Sequence, residues 1–147
     1  MVLDETDVKL LKTLILDSRL SSRQMAKECG VSIGTVLSRI KGMEKEGIIK
    51  GYSALLDHEK LGYELTVVSE ITVSKGRLLE VENEIARLPN VCSVYDVTWL
   101  IDAVIIAKFK NRSELSKFTK RILSIPYVER TNTHVVLTTI KEDFRVI

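Results

Sequence analysis

Within the stretch SSRQMAKECGVSIGTVLSRIKGMEKEG, from Ser21 to Gly47, small, hydroxylated and basic residues fall at helical spacing. Gly34, Thr35, Ser38, Arg39 and Lys41 are left on one face if Val36, Ile40 and Met43 turn inward at i, i+4 and i+7. Such a face suits a nucleic acid. Hydroxyls near a helix start reach base edges, a small residue permits close approach, and cations further along hold phosphates. Arg39 has the donor geometry to bond a guanine edge bidentately or to clamp a phosphate. The other reading of Arg39 is an ion pair with Glu44 or another helix neighbour, and the other reading of the stretch is a packed helix pair with a solvated face.

Two caps must position this face. Ser21 followed by Gln24 forms a capping box for a helix whose Met25, Ala26 and Cys29 share one side. Gly30 falls where a left-handed residue ends that helix. Ser32 then caps the next one. Ser22 and Arg23 stand at the first helix's start, where free N–H groups can bond phosphate. Ahead of both, Asp4 to Leu16 reads as a supporting helix, capped by Asp4, with Leu11, Leu14 and Ile15 as its buried stripe. Leu3 and Val8 are spaced for a hydrophobic staple.

The 147 residues carry a net charge of +2, with 45% hydrophobic and 29% charged residues, as in an ordinary globular protein. The charge is unevenly spread. Arg19 to Lys50 holds seven cations against three acids, Met1 to Ser18 is acidic, and from Gly51 onward 13 cations and 13 acids cancel. No apolar run approaches a membrane span and no signal pattern opens the chain, so a cytoplasmic protein is expected. Cys29 and Cys92 read as buried thiols, and neither shares ligand spacing with the other or with His58 or His134. No metal, cofactor, nucleophile–base set or glycine-rich phosphate loop is indicated, so no enzyme is expected. The two histidines read as surface or interface residues.

After Gly47 the pattern becomes extended. Ile48 to Leu56 reads as a short strand or wing, and Asp57 to Gly62 as linker. From Tyr63 strands and helices alternate: strands at Leu65–Val73, Val91–Thr98, Asp102–Phe109 and Val128–Ile140, helices at Gly76–Leu88 and from a Ser113 cap to Ile125. Leu78/Leu115, Val81/Phe118, Ile85/Ile122, Leu88/Ile125, Pro89/Pro126 and Val91/Val128 repeat at a constant offset of 37. Two split βαβ units of this kind give a four-stranded antiparallel sheet with both helices on one face, a ferredoxin-like arrangement. The apolar run Ala103 to Ala107 suggests that the other face is covered too, by a second copy of the chain.

A helix-turn-helix reader, a short extended link and a ferredoxin-like βαββαβ domain together resemble the Lrp/AsnC (feast/famine) transcription regulators, an α+β class. The resemblance rests on Leu3-Asp4-Glu5-Thr6-Asp7, on Ala26 with Gly30-Val31-Ser32, on Arg39-Ile40-Lys41 and on Gly47-Ile48-Ile49-Lys50-Gly51-Tyr52. It spans essentially the whole chain and divides it at residues 1–50, 51–62 and 63–147. It implies a cytoplasmic archaeal or bacterial regulator that binds double-stranded DNA, forms homodimers through the second domain, assembles further into octamers or similar oligomers, and senses an amino acid or related metabolite there. Family members carry a glycine, an acid, an aromatic and an aspartate in the loop after the second strand of that domain. Here the positions read Trp99, Leu100, Ile101 and Asp102, so only the aspartate matches. Thr98, Thr131 and Thr133 are further candidate pocket residues. A lost or altered effector site is favoured over a standard one. Two other functions compete: a sirohaem-decarboxylase-like enzyme, for which the neutral second half offers no basic cluster, and a metabolite-binding module that no longer reads DNA.

Overall fold

The computed structural model describes residues 2–147. It forms two compact units, one from the chain up to Leu55 together with Lys141–Ile147, the other from Leu56–Ile140.

The first unit contains helices α1 (Glu5–Leu16), α2 (Ser22–Cys29) and α3 (Ile33–Lys45). Each starts where a side chain satisfies backbone N–H groups that a helix cannot pair itself. Asp4 and Asp7 form a reciprocal box: the Asp7 amide donates to Asp4 Oδ1 at 2.9 Å and the Asp4 amide to Asp7 Oδ2 at 3.1 Å. Ser21 and Gln24 do the same for α2. Ser32 Oγ accepts from the Thr35 amide at 3.0 Å. Gly30, at φ 71°, turns the chain out of α2, a conformation that costs glycine nothing. Leu10, Leu11, Met25, Ala26, Cys29, Val36 and Met43 make the core, with Leu14, Ile40 and Ile49 packed around it. Lys9 Nζ donates to the last carbonyl of α2, Cys29 O, at 3.0 Å. Residues 50–56 belong to no helix or strand, so the expected wing has no ladder partner among the described residues.

The second unit is β1 (Leu65–Val73), α4 (Leu78–Ala86), β2 (Val91–Asp96), β3 (Ala103–Phe109), α5 (Arg112–Ser124) and β4 (Val128–Val135). The sheet is antiparallel in the order β2-β3-β1-β4, which is the ferredoxin-like topology. Val67, Ile71 and Val73 of β1 and Ala103, Ile105, Ala107 and Phe109 of β3 share one face, packed against Val81 and Ile85 of α4 and Phe118 and Ile122 of α5. The 37-residue repeat is therefore the inner stripe of both helices.

Several boundaries differ from expectation. Strand β2 ends at Asp96 rather than Thr98, and β4 at Val135 rather than Ile140. One backbone bond continues past each point, from Val97 N to Asp102 O at 3.0 Å and from Val136 N to Thr66 O at 2.8 Å, before the pairing stops. Helix α5 is capped by Asn111, whose side chain accepts from Glu114 N at 3.0 Å, and not by Ser113. Val104 and Ile106 alternate away from the helices and are only half-buried, so the apolar run is covered on one face within the chain. Cys92 sits where the β2–β3 register shifts and is exposed, while Cys29 is buried as expected.

Candidate nucleic-acid interface

Helix α3 is pinned by Val36 and Met43, which are fully buried, so its opposite side is fixed outward. Gly34, Ser38 and Lys41 are exposed on that side. Leu37 shares it and is 55% exposed. The sequence reading passed over Leu37, although it lies three residues after Gly34 and four before Lys41, the spacing of the open stripe. An outward aliphatic side chain beside small and basic residues can touch a thymine methyl.

Ser32 and Thr35 play a more local part. Thr35 is half-buried, and its Oγ1 lies 2.8 Å from Ser32 Oγ, so both hydroxyls are engaged in the cap. On α2, Arg23 is exposed at the start and Ser22 is half-buried. Arg23, Lys27, Lys41, Lys45 and Lys50 are all exposed and form no ion pair among the described residues. These cations stay available to an external anion.

Arg39 is placed differently. Its guanidinium binds Asp4 and, at 3.0 Å, Asp7 Oδ1, two carboxylates of the α1 capping box. Asp7 is 2% exposed. The hydrogen bond from Arg39 holds the Asp4 carboxyl below the usual range, and the two carboxylates raise the guanidinium in turn. Arg39 thus joins α3 to the start of α1 instead of standing free on the open stripe. Its partners lie 35 and 32 residues away, which excludes Glu44 as its partner. Glu44 instead accepts from the Tyr52 hydroxyl at 2.9 Å, and burial first, then Glu44, pushes that phenol up.

The effector candidates lie on two elements, the β2–β3 loop and β4. In the β2–β3 loop, Thr98, Trp99 and Leu100 are exposed and Ile101 and Asp102 half-buried. Trp99 is 88% exposed and has φ 97°, where an L side chain is strained. Asp102 shapes the turn: its Oδ2 accepts from Val73 N at 2.7 Å, its amide donates to Ile71 O at 2.9 Å, and its carbonyl accepts from Val97 N at 3.0 Å. Thr131 and Thr133, on β4, share hydrogen bonds with the hydroxyl of the buried Ser69, at 3.0 and 2.8 Å. Thr131 pairs in register with Ile71, whose carbonyl accepts from the Asp102 amide. Nearby, Glu82 of α4 has a buried Oε1 without a hydrogen-bond partner. Burial raises its carboxyl, and Asp96 and Asp102 raise it further. Among the described residues no group of three or more His, Cys, Asp or Glu side chains is placed to hold a metal ion. Among the described residues no helix is long and apolar enough to cross a membrane.

Residues 3–50 match the winged helix-turn-helix DNA-binding family, and residues 66–146 match the Lrp/AsnC ligand binding domain. An uncharacterised HTH-type transcriptional regulator of Pyrococcus abyssi is 47% identical over 99% of both chains. The HTH-type transcriptional regulator FL11 of Pyrococcus horikoshii is 37% identical over 95% of this chain and 93% of its own. Among solved structures, a transcriptional regulator of Neisseria meningitidis in complex with L-Met superposes with a TM-score of 0.89 at 26% identity, over 99% of this chain and 97% of that one. With its helix-turn-helix DNA-binding domain followed by a ferredoxin-like ligand-binding domain, the chain belongs to the Lrp/AsnC family of transcriptional regulators.

Proposed function

We propose that this regulator reads duplex DNA with the outer stripe of α3. Ser38 and Leu37 meet base edges, Gly34 allows the approach, and Lys41 holds a phosphate. Arg23 and Ser22 at the start of α2 hold the adjoining backbone, Ser32 and Thr35 keep the α3 start in shape, and Arg39 fixes the angle of α3 on α1. What carries this reading is the set of exposed side chains, without partners among the described residues, on one face of a helix whose other face buries Val36 and Met43. The chain acts as a cytoplasmic homodimer built through its second unit, so its site is near-palindromic, with half-sites about 34–36 Å apart or a multiple of that. Selection of bound duplexes from a random pool should return such a site. Ser38→Ala should weaken binding to it by about 1–3 kcal/mol and relax one position. A pool that returns no preferred sequence would defeat the proposal.

The effector loop supports a narrower reading. Trp99 and Leu100 replace the glycine and acid that leave room and charge for an amino acid, and Asp102 is engaged in the turn. The relative from Neisseria binds L-Met in its crystal, whereas this chain is proposed not to answer to the common amino acids. A thermal-shift screen across them should show no stabilisation, and a clear rise in Tm with any one would refute this.

A further inference from the structure

The cations and acids of the second half cancel in number but not in space. Lys110, Arg112, Lys117, Lys120 and Arg121 lie within twelve residues whose one acid is Glu114. All five cations are exposed. Glu114 is half-buried, and its carboxylate accepts from the Lys110 amide at 3.0 Å, so it faces back toward the start of α5. Leu115, Phe118 and Ile122 pack into the core, which fixes the basic stripe outward. Arg121 donates to Glu84 of α4 at 2.9 Å. Arg112, Lys117 and Lys120 form no ion pair among the described residues. Between them Ser113 and Ser116 are exposed, and Leu123 is the one large apolar side chain exposed on the helix.

We infer that the outer face of α5 is a second contact for duplex DNA, one that grips the phosphate backbone without reading sequence. The chemistry favours DNA over a protein partner. Protein interfaces have apolar or aromatic centres and few lysines, whereas this stripe offers lysine, arginine and serine donors and almost no apolar area. From Arg112 to Lys120 the helix rises about 12 Å, a length over which a duplex carries roughly seven phosphate charges. Three unpaired cations on that length can each displace a condensed counterion. The inference depends on the proposed function only in that the chain meets DNA at all, and it gives the sensing unit a direct grip on the bound duplex.

Binding of the full chain to a random-sequence duplex of about 60 base pairs, followed by fluorescence anisotropy against salt, tests this. Arg112→Ala, Lys117→Ala and Lys120→Ala together should lower the slope of log K against log salt by about 2–3 and weaken binding about tenfold or more near 100 mM salt. Lys117→Arg with Lys120→Arg should keep the wild-type slope. All of these side chains are exposed and the core stripe is untouched, so the fold should stand. A wild-type slope in the triple variant overturns the inference. So does a change in its oligomeric state by light scattering, which would make the acidic α4 of a second copy the occupant. Ser38→Ala with Lys41→Ala separates this from the reading of α3. If that pair binds its selected site like wild type while the triple variant loses affinity, the α3 reading fails and the α5 contact survives. The reverse result sinks the α5 contact alone.

Discussion

At the scale of single residues, the junction of Arg39 with Asp4 and Asp7 decides how α3 is held. Asp7 is both the third residue of a capping box and an almost fully buried carboxylate. Asp7→Ala removes a cap and an ion-pair partner at once. It should cost about 1–3 kcal/mol in urea unfolding, with the unfolding slope unchanged. Arg39→Ala leaves Asp7 buried without its guanidinium and should destabilise most at neutral pH. The pH dependence has a definite sign. The folded Asp4 carboxyl is depressed by Arg39, so its contribution is full above the unfolded carboxylate value of about 3.9 and disappears as pH falls through the folded value. The stability gap between wild type and Arg39→Ala should therefore narrow from pH 6 to about pH 3. A gap that stays constant would mean that the arginine acts through packing alone. The caps themselves were legible because Asp4, Ser21, Gly30 and Ser32 act within three or four residues of chain. The tie between Arg39 and α1 was not, because spacing along one helix says nothing about a partner more than thirty residues away.

At the scale of elements, the β2–β3 loop holds the largest local conflict. Trp99 adopts a positive φ that glycine takes freely, and its indole lies in solvent with little packing in return. Relief of that strain is worth roughly 1–2 kcal/mol, against about 0.5–1 kcal/mol for glycine's extra freedom in the unfolded chain. Trp99→Gly should therefore leave Tm unchanged or raise it slightly, despite the loss of the largest side chain in the sequence. A fall of several degrees would show that the indole packs against something in solution. Glu82, behind the loop, behaves in the opposite way to Asp4. Burial and two neighbouring carboxylates raise its value, so stability is lost as pH rises from the unfolded value, about 4.3, through the folded one. Glu82→Gln should accordingly raise Tm at pH 7 and have no effect near pH 3. The mismatch at Trp99 could be read from a four-residue motif. The half-buried Glu82 could not, since its neighbours Asp96 and Asp102 are joined to it only by the fold.

At the scale of the whole chain, each unit has its own closed core, with Met43 and Cys29 in one and Ile122 and Phe118 in the other. In the sequence, hydrophobic period switches from helical to alternating after Gly47, and the 37-residue repeat marks both helices of the second unit. Charge was misread at this scale. A sum over the second half hides the basic stripe of α5, since the acids that balance it lie on α4 and elsewhere. Separate cores also make a prediction about cooperativity. Cys29 is buried in the first unit and Cys92 exposed in the second, so an aromatic disulfide reagent should label Cys92 at once and Cys29 only when the first unit opens. Met43→Ala removes a fully buried side chain from the same core as Cys29 and should cost about 2–5 kcal/mol. Labelling of Cys29 should then quicken by at least tenfold, because its rate follows the population of the open form. Ile122→Ala costs a similar amount in the other core and should leave that rate unchanged. Equal acceleration by both variants would mean that the two cores open as one cooperative body, and the division into separate units would not describe the protein in solution.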